Sequence, residues 1–211
     1  MKTTKRFLVA VVLLGAVLGL YYQFWFLRLP DRNIPANEKL FVSPANGKVV
    51  AVFGWNDSIV QITKKEFGAF DTWVADVDTA GTIIHIQMDV TNVHYQRAPT
   101  NAVLLSKKYV TGNFSNAVVM NNEWGIRFEN EHNELTFENT KGKKYKLVQI
   151  AGFVARRIED FLTKGQQVKQ GDVIGLIKLG SQVTVILPSG VQLKTKTGDV
   201  VTEGESVLAE W

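Results

Sequence analysis

A run of 21 residues without a charged side chain, residues 7–27, constrains this sequence more than any other feature. A helix needs about 20 apolar residues to cross the hydrocarbon core of a bilayer. Aromatic residues are concentrated at the C-terminal end of the run, where an interfacial belt is expected. A cleaved signal peptide has a shorter apolar region and ends in small residues. We therefore predict that residues 1–29 form an N-terminal membrane anchor, with residues 7–27 in the bilayer.

The charge and the composition of the chain exclude several classes of function. There are 24 Lys and Arg against 20 Asp and Glu, and a net charge of +4 is too small to indicate a nucleic-acid partner. The chain has no cysteine, which excludes disulfides, thiolate metal sites and a cysteine nucleophile. No HExxH motif and no spaced His/Asp cluster occurs, so we expect no metal site.

Short segments rich in β-branched and aromatic residues fill most of the chain after Pro30. They alternate with Gly, Asn and Asp, as in residues 49–53, 82–88 and 183–187, and this pattern is typical of a mainly β fold. His85 lies within one alternating segment, where a structural role is expected. Residues 151–164 instead have apolar side chains at helical spacing, which predicts a helix.

A seven-residue pattern, Gly-x-x-Val-x-x-Gly, occurs at residues 165–171 and again at residues 198–204. Glycines at such positions suit tight turns with positive φ. The repeat predicts a compact, barrel-sandwich-like β domain built from related hairpins, over residues 30–211. We expect one or two short helices in this domain, in addition to the N-terminal transmembrane helix.

Five segments of the domain carry more specific motifs. They read FVSPANGKV (41–49), NVHYQRAP (92–99), NEHN (130–133), QIAGFVARRI (149–158) and GLIKLGSQV (175–183). Their sequences and their order resemble those of the short, membrane-bound phosphatidylserine decarboxylase family, in which they read SPADGxV, DVHxNRAP, NERN, QIAGxxARRI and GxIxFGSxV. The resemblance covers essentially the whole chain, and its last two motifs are the most specific.

The resemblance implies a proenzyme that cleaves its own chain between Gly180 and Ser181, which gives residues 1–180 and 181–211. Attack of the Ser181 hydroxyl on the Gly180 carbonyl would leave a covalent pyruvoyl cofactor derived from Ser181. That cofactor would support decarboxylation of phosphatidylserine to phosphatidylethanolamine. His94 matches the motif histidine and is expected to protonate the product carbanion or to assist processing. Arg97 is the candidate for binding the lipid phosphate or carboxylate, with a structural ion pair as the alternative.

The resemblance also implies the location and the partners of the protein. The substrate is expected to be phosphatidylserine or a similar serine lipid, and the domain is expected to lie on the cytoplasmic face of the cell membrane. The flanking charges leave the orientation open, because basic residues lie on both sides of the apolar run. A homodimer, the commonest oligomer, is one candidate assembly.

Three positions depart from the family motifs, and they keep an alternative open. Asn46 and Asn92 stand where the family has Asp, and His132 stands where it has Arg. An amide cannot accept a proton as a carboxylate does. The alternative is a non-processing, catalytically inactive relative, tethered to the membrane, that binds lipid or a protein partner. A weaker alternative is an unrelated barrel-sandwich adaptor, which would have long helical hairpins. The intact Ser181 favours the enzyme.

Overall fold

The computed structural model of the chain describes residues 2–63, 69–114, 118–120, 123–125, 128–129, 131–151, 158–178 and 182–211. Within these ranges the helical residues are α1 (Lys2–Leu20) and a π-helical continuation, Tyr21–Phe26. The strands are β1 (Leu40–Val42), β2 (Gly47–Trp55), β3 (Ile59–Thr63), β4 (Ala69–Trp73), β5 (Gly81–Gln87), β6 (Tyr95–Arg97), β7 (Ala102–Val110), β8 (Asn113–Phe114), β9 (Val118–Met120), β10 (Glu123–Gly125), β11 (Phe128–Glu129), β12 (His132–Asn139), β13 (Lys144–Ile150), β14 (Ile158–Asp160), β15 (Gln167–Val168), β16 (Val173–Ile177), β17 (Gln182–Pro188), β18 (Gln192–Leu193), β19 (Val200–Val201) and β20 (Val207–Glu210).

An antiparallel eight-stranded sheet forms the centre of the domain, in the order β15-β7-β12-β13-β17-β5-β2-β19. Two three-stranded sheets, β1-β20-β18 and β14-β16-β6, accompany it, together with the strand pairs β3-β4, β8-β11 and β9-β10. The mainly β fold predicted from the sequence is confirmed.

The central strands of the large sheet, β12, β13, β17 and β5, are buried on both faces, and they carry polar as well as apolar residues there. On β5, Ile84 and Ile86 belong to the main core, whereas Ile83 belongs to a second, smaller core. Successive side chains of a strand point to opposite faces, so the two cores lie on the two sides of the sheet. The second core includes Ile62 of β3 and Val74, which follows β4, so the β3-β4 hairpin covers that face.

The repeated glycine pattern lies at the two edges of the eight-stranded sheet. All four of its glycines have positive φ, as predicted. The two edge strands, β15 and β19, carry the pattern's buried Val168 and Val201. A Cβ at either Gly171 or Gly204 would lie 2.6 Å from a side-chain carbon of Ile34. The sheet therefore curls into a half-barrel whose edges converge on one residue of the segment that follows the anchor.

The helical N-terminus has the properties expected of a membrane span. The 23 residues Thr4–Phe26 are long and apolar enough to cross a membrane. The apolar side chains of α1 from Phe7 to Leu20 are exposed on the protein surface, whereas Phe26 at the end of the π-helical turn is fully buried. Most of the apolar surface of this segment is therefore exposed, and only its last turn packs against the domain.

The prediction of a helix at residues 151–164 is wrong at residues 158–160, which the structure describes as a strand. Ile158–Asp160 forms β14, which pairs with β16 through Ile158 and Ile177. Residues 152–157 of the predicted helix lie outside the described residues. Ile158 and Leu162 are buried, whereas Phe161, which shares the predicted apolar face, is exposed. Pairing with β16 satisfies the backbone of residues 158–160 instead of helical hydrogen bonds. Tertiary pairing has overridden the local helical pattern.

A buried ionic cluster centred on Glu134 occupies the second face of the sheet. The Glu134 carboxylate lies 3.4 Å from Lys146 Nζ and 3.2 Å from Lys108 Nζ, and it accepts a 2.6 Å hydrogen bond from Thr72 Oγ1. Burial alone would raise the pKa of Glu134. Hydrogen bonds from His132 and Thr72 and the charge of Lys146 outweigh that effect and lower the pKa to about 2. The cluster therefore places an ionised carboxylate in the protein interior.

The two lysines of this cluster provide a matched stability test, because the Lys146 side chain is 3% exposed and the Lys108 side chain is 67% exposed. Lys146→Met should lower the free energy of unfolding by about 3 kcal/mol, since it leaves a buried carboxylate without its buried cation. Lys108→Met should lower it by less than about 1 kcal/mol. Denaturant unfolding of the full chain in detergent measures both values, and equal losses would contradict this account.

Candidate active site

One end of the eight-stranded sheet brings together strand ends that carry four of the five sequence motifs. Gln182, the first residue of β17, pairs with Gln87 at the end of β5 and with Ile150 at the end of β13. Gln87 also pairs with Lys48 near the start of β2, and Ile150 pairs with His132 at the start of β12. We call this end of the sheet the motif rim. Antiparallel pairing places segments there that are more than 100 residues apart in the chain.

The predicted cleavage residues, Gly180 and Ser181, lie outside the described residues, but the strands on either side of them are described. β16 ends at Ile177, whose backbone N–H donates to the carbonyl oxygen of His94 at 3.1 Å. β17 begins at Gln182 on the motif rim. A backbone hydrogen bond therefore joins His94 to the strand that leads directly to Gly180.

His94 is fully buried, and its hydrogen bonding defines which ring nitrogen carries the proton. Nδ1 lies 2.9 Å from the carbonyl oxygen of Asn92. A carbonyl oxygen only accepts, so Nδ1 is the donor and Nε2 of the neutral ring carries the free lone pair. Nε2 is buried and has no hydrogen-bond partner among the described residues. Such an atom can accept a proton from a group that reaches it.

The surroundings of His94 keep its imidazole uncharged. Burial lowers the pKa of His94 to about 4, although the hydrogen bond to Asn92 and the charge of Asp89 oppose this shift. The positive charge of Arg28 adds to the lowering. The ring of Phe26 lies 4.1 Å from the His94 ring, centroid to centroid. At neutral pH the side chain is therefore a base with a free lone pair rather than a cation.

A chain of buried amides connects His94 to two further motif segments. Asn133 Nδ2 donates to Gln149 Oε1 at 2.9 Å, and Gln149 Nε2 donates to Gln96 Oε1 at 2.9 Å. Gln96 Nε2 then donates to the carbonyl oxygen of His94 at 2.6 Å. None of these amides was a predicted site residue, although all three lie within motif segments. They fix the backbone of His94 from inside the core.

Gly175 of β16 leaves the space that this amide chain needs. A Cβ at position 175 would lie 2.6 Å from Gln149 Nε2 and 2.8 Å from the carbonyl oxygen of Glu159. Both distances are too short for a side-chain carbon. Glycine at this motif position is therefore explained by packing.

Arg97 is held by backbone carbonyl oxygens. Its Nη1 donates to Gly171 at 2.9 Å and its Nη2 donates to Pro30 at 3.0 Å. The buried carboxylate of Glu203 forms a 2.8 Å ion pair with Arg32. Burial raises the pKa of Glu203, and the charges of Arg32 and Arg97 oppose that shift. These contacts give Arg97 a structural role through carbonyl oxygens instead of through the ion pair considered above, and phosphate binding by this residue stays a prediction.

Each of the three positions that depart from the family motifs forms a hydrogen bond or an ionic contact with a nearby residue. Asn46 Oδ1 accepts the backbone N–H of Glu203 at 2.8 Å, and a carboxylate oxygen would accept the same N–H. Asn92 Oδ1 accepts the backbone N–H of Asp89 at 2.8 Å. His132 lies in the ionic cluster of the second face. The amide at position 46 therefore retains this hydrogen bond, and it differs from a carboxylate in having no charge and in carrying an N–H donor group.

His85 lies on the second face of the sheet, beside the start of β17. Its Nδ1 is 2.7 Å from Thr184 Oγ1 and 3.3 Å from Gln182 Nε2. Burial lowers its pKa to about 4. These contacts fit the structural role expected of it. In the part of the chain that the structure describes, no three His, Asp or Glu side chains are grouped to hold a metal.

Comparison with known proteins identifies the family. The profile named phosphatidylserine decarboxylase matches residues 22–209. A phosphatidylserine decarboxylase proenzyme of Chlorobaculum tepidum is 33% identical over 201 residues, which cover 95% of this chain and 83% of that protein. Proteins of the same name from Ruegeria pomeroyi and Burkholderia ambifaria are 36% and 32% identical, over 89% and 91% of this chain and 78% and 84% of their own lengths. The chain belongs to the phosphatidylserine decarboxylase family, as the motifs indicated.

The amide chain predicts a stability effect that an exposed amide does not share. Gln149→Leu should lower the free energy of unfolding by about 1–3 kcal/mol, because it leaves buried groups of Gln96 and Asn133 without partners. Gln167→Leu changes an exposed glutamine and is the matched control. Urea unfolding of the full chain measures both variants. A loss at position 149 no larger than that at position 167 would show that the chain of amides contributes nothing to stability.

Proposed function

We propose that this chain is a proenzyme that cleaves itself between Gly180 and Ser181. With the pyruvoyl group so formed from Ser181, it then decarboxylates phosphatidylserine to phosphatidylethanolamine at a membrane. Family membership and the proenzyme names of the relatives support the proposal. The observation that carries it is His94, a neutral imidazole whose Nε2 has no hydrogen-bond partner within the described part of the chain. The backbone of His94 is hydrogen-bonded to the strand that leads to Gly180.

In this proposal His94 is the general base of processing. Nε2 takes the proton of the Ser181 hydroxyl as the hydroxyl oxygen bonds to the carbonyl carbon of Gly180. The peptide C–N bond breaks, and its nitrogen takes the proton, so an ester joins the two residues. Elimination then transfers the Cα proton of residue 181 to a base and breaks its Cβ–O bond, which releases the Gly180 carboxylate and leaves dehydroalanine at position 181. One water replaces the nitrogen, which leaves as ammonia, and the product is the pyruvoyl group.

The properties of His94 favour this role over protonation of the product carbanion. With a pKa of about 4, the imidazole is almost entirely neutral at pH 7, and its Nε2 accepts a proton rather than donating one. In the second reaction the pyruvoyl group supplies a carbonyl that accepts electrons when CO₂ leaves. The residues of the motif rim would surround that group and keep water from it. Arg97 stays the candidate for the lipid phosphate.

The anchor fits a substrate that stays in a bilayer. The apolar span ends on the domain close to His94, since Tyr21 at its end donates to the carbonyl oxygen of Val90 at 3.1 Å. Tethering an enzyme to the surface that holds its substrate raises the effective substrate concentration. The proposal therefore places the protein in the cell membrane, with phosphatidylserine or a similar serine lipid as substrate. A domain on the cytoplasmic face is what the family resemblance implies.

The amide at position 46 supports a second candidate function. Asn46 cannot take a proton, so a chain that depended on a carboxylate there would stay uncleaved. Such a chain would be a membrane-tethered relative that binds lipid or a protein partner without catalysis. The free lone pair of His94 favours the enzyme, because it provides a base that does not require position 46.

Release of CO₂ tests the proposal directly. The full chain is placed in vesicles that contain phosphatidylserine labelled at the serine carboxyl carbon, and labelled CO₂ is collected. We expect release by the wild type, background release by Ser181→Ala, and wild-type release by Ser189→Ala, which alters an exposed turn. Background release by the wild type with intact vesicle binding would contradict the proposal and support the non-catalytic alternative.

A further inference from the structure

We infer that the end of the membrane anchor is itself part of the catalytic centre. Phe26, the last residue of the π-helical turn, is a positioning residue that holds the His94 imidazole in place and out of water. The inference rests on the proposed role of His94 as the base. It extends that proposal, because it makes the anchor a component of the site as well as a tether.

The contact between Phe26 and His94 is close and closed to solvent. Both side chains are 0% exposed, and their ring centroids lie 4.1 Å apart with an interplanar angle of 31°. The Tyr22 ring also stacks on Phe26, with centroids 5.3 Å apart and an interplanar angle of 11°. Phe26 thus contacts both the anchor's own Tyr22 and the histidine of the domain. Its ring excludes water from one face of the imidazole.

Two further contacts fix the anchor to the loop that carries His94. Tyr21 Oη donates to the carbonyl oxygen of Val90 at 3.1 Å, and Arg28 Nη2 donates to that of Thr91 at 2.6 Å. The Arg28 guanidinium also lies over the Trp25 ring, 4.5 Å from its centroid. Both acceptors lie between β5 and His94. The end of the anchor and the histidine loop are therefore joined as one unit.

The π-helical turn divides the aromatic residues at the end of the apolar run into two sets. The N–H of Leu27 donates to the carbonyl oxygen of Tyr22, five residues earlier, at 3.1 Å. Phe26 then faces the domain, whereas Phe24 is 73% exposed and Trp25 is 51% exposed. π-helical turns occur frequently at functional sites. Phe24 is therefore a matched control, an identical side chain on the same turn that does not touch His94.

Removing the Phe26 ring should admit water to His94 and raise its pKa. Burial is the main cause of the low value, and the charge of Arg28 lowers it further. Asp89 and the carbonyl oxygen of Asn92 act in the opposite direction and remain in every variant. Because the base must be unprotonated, the rate of self-processing should fall as the pH drops through the pKa of His94. A higher pKa moves this fall to higher pH.

The test measures the His94 pKa by NMR on full chains with ¹³C-labelled histidine in lipid nanodiscs, with His94→Gln used for assignment. The wild type should titrate near the value of about 4. Phe26→Ala should raise the pKa by at least about one unit, a tenfold change in proton affinity. Phe24→Ala should leave it unchanged. Phe26→Leu should retain most of the lowering, because its bulk still excludes water.

The pH profile of self-processing separates positioning from simple packing. It should move to higher pH in Phe26→Ala, in step with the His94 pKa, and should not move in Phe24→Ala. An unchanged pKa, or a changed pKa with an unchanged profile, would overturn the inference. Normal processing by His94→Gln would instead overturn the proposed role of His94, and the pKa measurement would still report on the contact with Phe26.

Discussion

Burial of the large sheet on both faces is the constraint on which the rest of this structure depends. A polar side chain on a central strand cannot reach water, so it must find a partner inside the protein. On one face this requirement produces the amide chain through Asn133, Gln149 and Gln96, which ends at the backbone of His94. On the other face it produces the ionic cluster around Glu134. The backbone of His94 is thus held by hydrogen bonds that also satisfy buried polar groups of the core.

The segment that joins the anchor to the domain has a structural role as well as a connecting one. Phe26 covers His94, Arg32 pairs with the buried Glu203, and Ile34 fills the space between Gly171 and Gly204 at the two edges of the half-barrel. These contacts follow one another within nine residues of the chain. The end of the apolar N-terminal helix therefore contacts the histidine loop, and the residues that follow it help to close the sheet.

Local patterns predicted what depends on local physics. Alternation predicted the β fold, the glycine repeat predicted four turns with positive φ, and the uncharged run predicted the N-terminal helix. The helix at residues 151–164 was wrong at β14 because pairing with β16 is a tertiary effect. The motif resemblance named His94 as a candidate, which stays a prediction, and it gave no indication of Phe26, because one inward ring cannot be distinguished within a uniformly apolar run. The link from Gln149 to Gln96 joins residues 53 positions apart and was equally inaccessible.

Intact-mass spectrometry of the full chain, purified from membranes, shows whether the protein cleaves itself. We expect two polypeptides, residues 1–180 and residues 181–211, the smaller one beginning with a pyruvoyl group in place of Ser181. The Ser181→Ala variant should remain one chain. A wild type that stays a single chain of 23.6 kDa, like the variant, would contradict self-processing and with it the pyruvoyl chemistry proposed for this protein.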